Sequence, residues 1–269
     1  AFLISALGHT YNDEGGNYAL AGGMVPVLAP GDDGKLTPEC VAHLARPLQP
    51  DHHISPTTVA VVENTANFGG GVPYTAGEVG AVAAACRTRG LAVHCDGARL
   101  FNAAVALDAP VAELVAPVDT VCFCLSKGLG APVGSMLAGP REVIARCHRY
   151  RKLLGGGLRQ AGVLAAAGRY ALAHHVADLA EDHRRARAFH DAMAPEGLRF
   201  DRPVHTNMAY IHTTAEADLV EALKQRGVLV CAVAPQRVRV VFHRDIDDAG
   251  LAQAIDAFRA VLPLAVPAN

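Results

Sequence analysis

A lysine followed by a glycine-rich loop is the feature of this sequence whose chemistry is easiest to interpret. Residues 118–137 read VDTVCFCLSKGLGAPVGSML, where an apolar, β-branched run ends at Ser126 and Lys127 and a glycine-rich segment follows. An unpaired lysine charge is costly to bury. A lysine that apolar walls partly desolvate is more often the neutral amine, which attacks carbonyl carbons to form a Schiff base. Position 127 is therefore predicted to capture a carbonyl group.

Two further polar clusters end apolar runs in the same way. Glu63 and Asn64 follow TVAVV, and Asp96 follows LAVHC. Ligands bind at the carboxyl edge of an open α/β sheet, so we expect these groups to converge with Lys127, although Glu63 taken alone is equally well explained as a turn residue. A carboxylate such as Asp96 would keep a pyridine nitrogen protonated, and the glycines would let a phosphate approach backbone N–H groups. These residues predict pyridoxal 5'-phosphate as the cofactor.

The glycines do not fit other nucleotide or phosphate motifs. GLGAPVG has the spacing G-x-G-x-x-x-G, which is not the dinucleotide-binding fingerprint, and it follows the lysine, whereas a P-loop precedes it. Dehydrogenase chemistry is excluded on this ground.

Apolar runs that alternate with helical patterns predict an α/β fold. Strands are expected at 58–64, 90–96 and 118–126, and they read as continuous apolar runs, as in a sheet covered on both faces. Thr75 and Glu78 form the S/T-x-x-E pattern that begins a helix.

The second half of the chain predicts helices followed by a smaller α+β arrangement. A large domain is expected over residues 1–165 and a small C-terminal domain over 166–269. The predicted elements are a basic helix at 139–157, a helical stretch at 158–193 that is either two helices or one kinked near Gly168, strands at 205–213, 228–232 and 237–242, and helices at 216–227 and 245–262.

Composition excludes several classes of function. The 269 residues are 51% hydrophobic with a net charge of −2, which gives no electrostatic basis for binding nucleic acid or an anionic membrane. No apolar run reaches the length of a membrane span, and neither HExxH nor paired CxxC metal spacing occurs. The seven cysteines include no CxxC and are expected to be reduced core residues of a cytoplasmic protein.

Four segments together resemble the L-threonine aldolase family, in the aromatic amino acid β-eliminating lyase group of fold type I pyridoxal-phosphate enzymes. They are ENTANFGGG, HCDGARLFNAAVAL, CLSKGLGAPVGSMLAG and RYRKLLGGGLRQAGVLAAAGRYAL, and the similarity runs from about residue 9 to the C-terminus. The resemblance implies a cytoplasmic aldehyde-lyase of threonine catabolism and glycine biosynthesis. It would cleave L-threonine or L-allo-threonine to glycine and an aldehyde. A homotetramer built from dimers, with active sites at subunit interfaces, is also implied.

The resemblance assigns cofactor contacts residue by residue. Lys127 matches the Schiff-base lysine, Asp96 the partner of the pyridine nitrogen, and His9 the histidine that stacks on the ring and takes part in catalysis. Ser126 is expected near the phosphate, and Arg159 is expected to reach the phosphate site of the neighbouring subunit.

Substrate contacts follow in the same way. Arg99 resembles an arginine near the ring oxygen and the substrate carboxylate, and Arg239 resembles the arginine that grips that carboxylate, with Arg237 as the alternative. Lys152 is expected near the substrate, although it also reads as a solvated helix residue. Glu63 and Asn64 are expected to support the site.

Two departures from the family pattern bear on activity. The family reads E-N-T-H-N where this chain has ENTAN, so Ala66 removes a histidine expected beside the substrate's β-hydroxyl and leaves the preferred side chain and stereochemistry open. The family's N-terminal arm and Ser/Gly-Thr phosphate loop have no counterpart before His9, which indicates an N-terminally truncated chain. A β-eliminating lyase, a transaldolase or an inactive fragment are therefore the alternatives.

Overall fold

The computed structural model describes residues 1–48 and 52–265, which divide into two compact units after Val176. The boundary predicted between residues 165 and 166 falls inside a helix, Gly162–His174, and the observed division follows that helix. Domain boundaries fall where few contacts cross, and a continuous helix is not such a place.

The first unit is built on a six-stranded sheet in the order β2-β1-β3-β4-β5-β6. The first five strands run parallel, and β6 is antiparallel to β5. The three strands expected from the sequence are confirmed as β3, β4 and β5, whereas the other three were not predicted, because four residues are too few for a periodic pattern to stand out. The strands are β1 (Phe2–Ser5), β2 (Pro26–Ala29), β3 (Val59–Glu63), β4 (Ala92–Gly97), β5 (Thr120–Cys124) and β6 (Ser135–Ala138).

Eight helices belong to this unit as the structure describes it. The predicted capping box at the start of α4 is confirmed: Thr75 Oγ1 accepts from the Glu78 N–H at 3.2 Å, and Glu78 Oε2 accepts from the Thr75 N–H at 2.7 Å. The helices are α1 (His9–Asn12), α2 (Asn17–Leu20), α3 (Pro38–Leu44), α4 (Ala76–Thr88), α5 (Leu100–Leu107), α6 (Val111–Val115), α7 (Arg141–Leu153) and α8 (Gly162–His174).

The two faces of the sheet are buried by different parts of the chain. Alternate strand residues such as Val62, Cys95 and Val121 join a core with side chains of α3, α4, α5 and α6. The opposite face buries Phe2, Ile4 and Val61, against which Tyr11, Tyr18 and Met24 pack. The expected coverage of both faces holds in part, because the second face is covered near β1 and β3 while all four residues of β6 are exposed. Polar residues at the strand ends lie on the second face.

The helical stretch after residue 158 is two helices, the first of the two predicted alternatives, and the kink near Gly168 is not observed. The break lies between α8 and the next helix, at residues 175–178, and Gly168 is in the middle of α8. A Cβ at Gly168 would lie 2.8 Å from Leu125 Cδ1, so this glycine allows the helix to approach the chain after β5 and does not kink it.

The second unit packs four helices with a three-stranded antiparallel sheet in the order β7-β9-β8. The predicted strand at 228–232 begins three residues late, at Cys231, and the other predicted elements of this part are confirmed. Phe189, Phe242 and Phe258 lie at the centre of its core. The elements are α9 (Leu179–Met193), β7 (Met208–His212), α10 (Glu216–Lys224), β8 (Cys231–Ala234), β9 (Arg237–Val241), α11 (Asp248–Ala260) and α12 (Leu262–Ala265).

The described residues contain neither a membrane-spanning helix nor a cluster of metal ligands. No helix there has the length and apolarity that a membrane crossing requires. Nor do any three histidine, cysteine, aspartate or glutamate side chains in that part of the chain come together as a metal site would need.

Candidate active site

The carboxyl ends of β3, β4 and β5 bring three polar side chains into one row. Glu63 pairs in register with Asp96, and Asp96 with Cys122. Register partners share a face of the sheet, and this face is the one opposite the helix core, since Val62, Cys95 and Val121 take that core. The sheet topology therefore brings Glu63 and Asp96 together at this edge, as predicted.

Asp96 is a buried carboxylate held by neutral donors. Its Oδ1 accepts from the Ala98 N–H at 3.2 Å and from the Cys122 thiol at 3.8 Å, and its Oδ2 accepts from the Thr10 hydroxyl at 3.4 Å. It is 8% exposed. Neutral donors orient the carboxylate without cancelling its charge, so it can pair with a cationic group placed at this edge.

Glu63 lies beside it and is buried more deeply, with 5% of its surface exposed. Its Oε2 accepts from the His9 N–H at 2.8 Å, and its Oε1 accepts from the Asn67 N–H at 2.7 Å. Desolvation raises the pKa of Glu63 to about 7, and the neighbouring Asp96 charge adds to the rise, against the two hydrogen bonds and Arg99.

Asn64 closes the loop that follows β3. Its amide donates to the Tyr74 carbonyl at 3.2 Å, and its carbonyl oxygen accepts from the Tyr74 N–H at 3.1 Å. Between them, the Ala66 N–H donates to the Val72 carbonyl at 3.2 Å. Asn64 therefore gives the loop its shape by two reciprocal bonds, both fully buried.

Ala66 occupies a tightly packed position in that loop. It is 1% exposed, and a Cβ at Gly34 or Gly69 would lie 2.8 or 2.9 Å from its own Cβ. The loop approaches these two glycines so closely that neither could carry a side chain. At Gly69, a Cβ would in addition collide with the Asp33 carbonyl. A histidine at position 66 would have to direct its ring away from both glycines.

Arg99 immediately precedes α5 and turns toward the same loop. Its Nη1 donates to Asn67 Oδ1 at 3.3 Å. The guanidinium is half-buried, two residues beyond the end of β4. It can place a positive charge near a carboxylate at the sheet edge.

His9 is the first residue of α1 and remains partly accessible. Its Nε2 lies 3.6 Å from Asp13 Oδ2 and 3.7 Å from Glu14 Oε1, and its side chain is 27% exposed. The imidazole therefore lies beside two carboxylates and is open to solvent on one side.

Lys127 lies in a loop that leaves the same edge of the sheet from β5. The loop is closed by bonds from the Leu125 N–H to the Gly134 carbonyl at 2.9 Å and from the Gly130 N–H to the Lys127 carbonyl at 2.9 Å. Gly130 and Gly134 have φ of +71° and +111°, which side-chain-bearing residues rarely adopt. Lys127 is half-buried, and Ser126 before it is exposed. Lys127, three residues beyond the end of β5, and Asp96, in the neighbouring strand β4, thus lie at the same edge of the sheet.

Lys152 and Arg159 are placed at the surface. Lys152 is in the last turn of α7 and Arg159 in the segment before α8, and both are exposed. Several large apolar side chains around them are exposed as well: Leu153, Leu154, Leu158, Val163 and Tyr170.

Arg237 and Arg239, in the second unit, share one face of β9. Val238 and Val240 between and beyond them are in the core of that unit. The Arg237 guanidinium is ion-paired with Asp201 and lies 5.7 Å from the Tyr210 ring centroid. Arg237 therefore has a structural partner within the second unit.

Comparison with known proteins places the chain in a family. The profile of the beta-eliminating lyase family matches residues 1–216. The chain belongs to this family. It is 39% identical over 264 residues to the low specificity L-threonine aldolase of Escherichia coli O157:H7, which covers 97% of this chain and 77% of that protein. The resemblance drawn from the four sequence segments is confirmed, and the chain is a lyase.

Solved structures of other proteins share the fold of this family member. Threonine aldolase of Leishmania major aligns with a TM-score of 0.83 at 18% identity, over 97% of this chain and 77% of that one. N-succinyldiaminopimelate aminotransferase of Mycobacterium tuberculosis aligns with a TM-score of 0.69 at 18% identity, over 97% and 71%. The predicted fold type I α/β architecture is confirmed.

Three residues near the family's lysine and aspartate positions were not identified from the sequence. Thr10 and Cys122 both donate to Asp96, and Asn67 links Glu63 to Arg99. Asn67 belongs to the quoted ENTAN segment, and Cys122 lies on the face of β5 that period two assigns to Asp96. Thr10 carries no comparable signal, because the contact depends on how α1 packs on the sheet.

Proposed function

We propose that this chain cleaves β-hydroxy-α-amino acids of the L-threonine type to glycine and an aldehyde, with pyridoxal 5'-phosphate as cofactor. The observation that carries the proposal is the 39% identity to a low specificity L-threonine aldolase across 97% of the chain. Independent support comes from Asp96 in β4 and Lys127 in the loop that directly follows the adjacent strand β5, both at one edge of the sheet.

The donor set at this edge fits the cofactor. Lys127 would hold its aldehyde carbon, and the buried Asp96 carboxylate would hold a proton on its ring nitrogen. When bound, the cofactor supplies a protonated pyridine ring that withdraws electrons from the substrate's α-carbon. Asp96 can sustain that charge because its present donors are all neutral.

The remaining assignments follow from the chemistry of each side chain. We assign His9 to the face of the ring, Ser126 to the phosphate, and Arg159 to the phosphate of a neighbouring subunit. Arg99 and Arg239 would bind the substrate carboxylate, for which a planar guanidinium offers two parallel donors, and Lys152 would lie near the substrate.

Cleavage also requires a base for the substrate's β-hydroxyl proton. Ala66 cannot serve, because its side chain has no acceptor. We assign the proton to His9 Nε2, which is partly exposed and lies 3.6 and 3.7 Å from the carboxylates of Asp13 and Glu14. A water molecule or the cofactor phosphate is the alternative acceptor.

The assembly and compartment complete the proposal. Leu153, Leu154 and Val163 are exposed next to Lys152 and Arg159, and a large exposed apolar patch indicates a protein interface. We assign this patch to association with a second copy and propose a homotetramer of two dimers. All seven cysteines are free, which agrees with a reducing, cytoplasmic setting.

Product analysis tests the function. Purified protein loaded with pyridoxal 5'-phosphate is given L-threonine, and glycine and acetaldehyde are expected in equal amounts. Pyruvate and ammonia would instead identify a β-eliminating lyase. Comparison of kcat/KM on L-threonine, L-allo-threonine and phenylserine tests whether the small, apolar Ala66 position favours a bulkier aldehyde, and equal or better use of L-threonine would contradict that idea.

A further inference from the structure

Glu63 joins two separate segments of the candidate site through one carboxylate. Its Oε2 accepts from the backbone N–H of His9 at 2.8 Å, at the start of α1. Its Oε1 accepts from the backbone N–H of Asn67 at 2.7 Å, in the loop after β3. The carboxylate is 5% exposed, so water offers these two N–H groups little replacement.

Each of the two bonds extends to a residue with a proposed role. The first holds the backbone of His9 itself, and with it the neighbouring Thr10, whose hydroxyl donates to Asp96 at 3.4 Å. The second holds Asn67, whose side-chain oxygen accepts from Arg99 Nη1 at 3.3 Å. Short chains of hydrogen bonds therefore link Glu63 to three candidate contact residues, which are His9, Asp96 and Arg99. Glu63 is not itself one of the proposed contact residues.

We propose that Glu63 is a positioning residue of this active site, whose ionised carboxylate holds His9 and, through Asn67, Arg99 in their working places. The inference rests on the proposed function, because it assumes that His9 and Arg99 contact the cofactor or the substrate. Glu63 itself takes no part in bond making or breaking.

The arrangement depends on the charge of Glu63. An ionised carboxylate only accepts hydrogen bonds, so it can serve both N–H groups, whereas a protonated one carries an O–H donor and leaves one N–H poorly served. The ionisable groups that face Glu63 are Asp96 and Cys95 on β4, Arg99 before α5, and His9 on α1. Desolvation raises the pKa of Glu63 to about 7, so this charge is gained near neutral pH.

Activity and stability should then respond to pH in opposite directions. Activity rises as pH increases through about 7, because both N–H groups acquire a full acceptor. Since the pKa in the folded state lies above the value of 4.5 for a free carboxyl, the stabilising contribution of Glu63 is complete below about 4.5 and is lost as pH rises to about 7.

The test compares Glu63→Gln with the wild type and with Glu113→Gln, an exposed glutamate of α6. In the loaded enzyme, Glu63→Gln is expected to lower kcat/KM about 10- to 100-fold above pH 7 and to flatten its rise through neutral pH, because one N–H loses its anionic acceptor. Glu113→Gln should follow the wild type. Superimposable pH profiles for all three proteins would overturn the proposal.

A second readout uses the protein without cofactor. The backbone amide proton resonances of His9 and Asn67 should shift together near pH 7 in the wild type and not in Glu63→Gln, and the difference in Tm between the two proteins should change with pH over 5 to 7.5. If Glu63→Gln does not fold, the wild type decides: the amide resonances must titrate with the same apparent pKa as kcat/KM, and a mismatch overturns the proposal. A wild type that forms no glycine defeats the proposed function alone, since the amide titration still tests the two hydrogen bonds.

Discussion

The amine of Lys127 is the group on which the proposed chemistry depends most. Lys127→Ala removes the only atom through which the chain would hold the cofactor covalently, so glycine formation should cease and no visible absorbance should remain after excess cofactor is removed. Lys224→Ala, which changes an exposed side chain of α10 in the second unit, is the control and should behave as the wild type. A colour retained by Lys127→Ala after gel filtration would contradict the assignment.

Arg239 and Arg237 provide a matched pair on one strand face. Arg239→Ala should raise KM for L-threonine about 10- to 150-fold, the equivalent of a lost charge-assisted bidentate hydrogen bond, with a smaller change in kcat. Arg237→Ala should leave KM nearly unchanged and lower Tm, because it strips Asp201 of its ion-pair partner. Steady-state kinetics and thermal unfolding separate the two outcomes, and the reverse pattern would exchange the roles.

At the scale of elements, the site depends on how closely β4 approaches β5. A Cβ at Gly97 would lie 2.6 Å from the Cys122 carbonyl oxygen and 3.0 Å from Leu100 Cβ, so position 97 must lack a side chain for Asp96 and Cys122 to remain neighbours. The glycine in the DGAR segment is therefore explained by packing at the sheet edge.

Gly97→Ala tests this packing. The added methyl meets backbone, so we expect a loss of about 1–3 kcal/mol in the free energy of unfolding and weaker cofactor binding. Gly80→Ala, where the new Cβ would meet only Pro117 Cγ at 4.0 Å inside α4, should stabilise the protein by about 0.5–1 kcal/mol. Denaturant unfolding and cofactor titration measure both, and equal effects of the two substitutions would refute the packing argument.

At the scale of the whole molecule, the exposed apolar side chains around α7 and α8 predict association. Leu154→Glu combined with Val163→Glu should shift the protein toward smaller species in size-exclusion chromatography with light scattering, because each places a charge in the proposed interface. Activity should decrease as the assembly dissociates, since Arg159 is proposed to act across subunits. Leu20→Glu, which changes an apolar side chain of α2 that is even more exposed, is the control. Dissociation by that variant, or none by the double variant, would contradict the interface.

The helices and strands with strong local sequence patterns are the ones that were predicted correctly. β3, β4 and β5 are buried, apolar and bounded by polar clusters, and α4 carries both residues of its capping box, so local chemistry is enough to find them. The short strands β1, β2 and β6 give no periodic signal, and their place depends on neighbours in the sheet. The sequence predicted a possible kink at Gly168, whereas the structure shows a close contact with Leu125 there, and both features require a residue without a side chain.

Residue types alone show which chemistry is available: an amine at position 127, a carboxylate at position 96, and glycines that let the chain pass close to both. Their order along the chain and their places at strand ends are local properties that a pattern can show. The fold, and not the residue pattern, places Glu63, Asp96 and Cys122 side by side. It also brings Thr10 and Asn67 into hydrogen-bonding contact with this cluster. The ion pair of Arg237 is likewise visible only in the folded chain. Such contacts depend on strand register and on packing between segments that are distant in the chain, and the local sequence around a residue specifies neither.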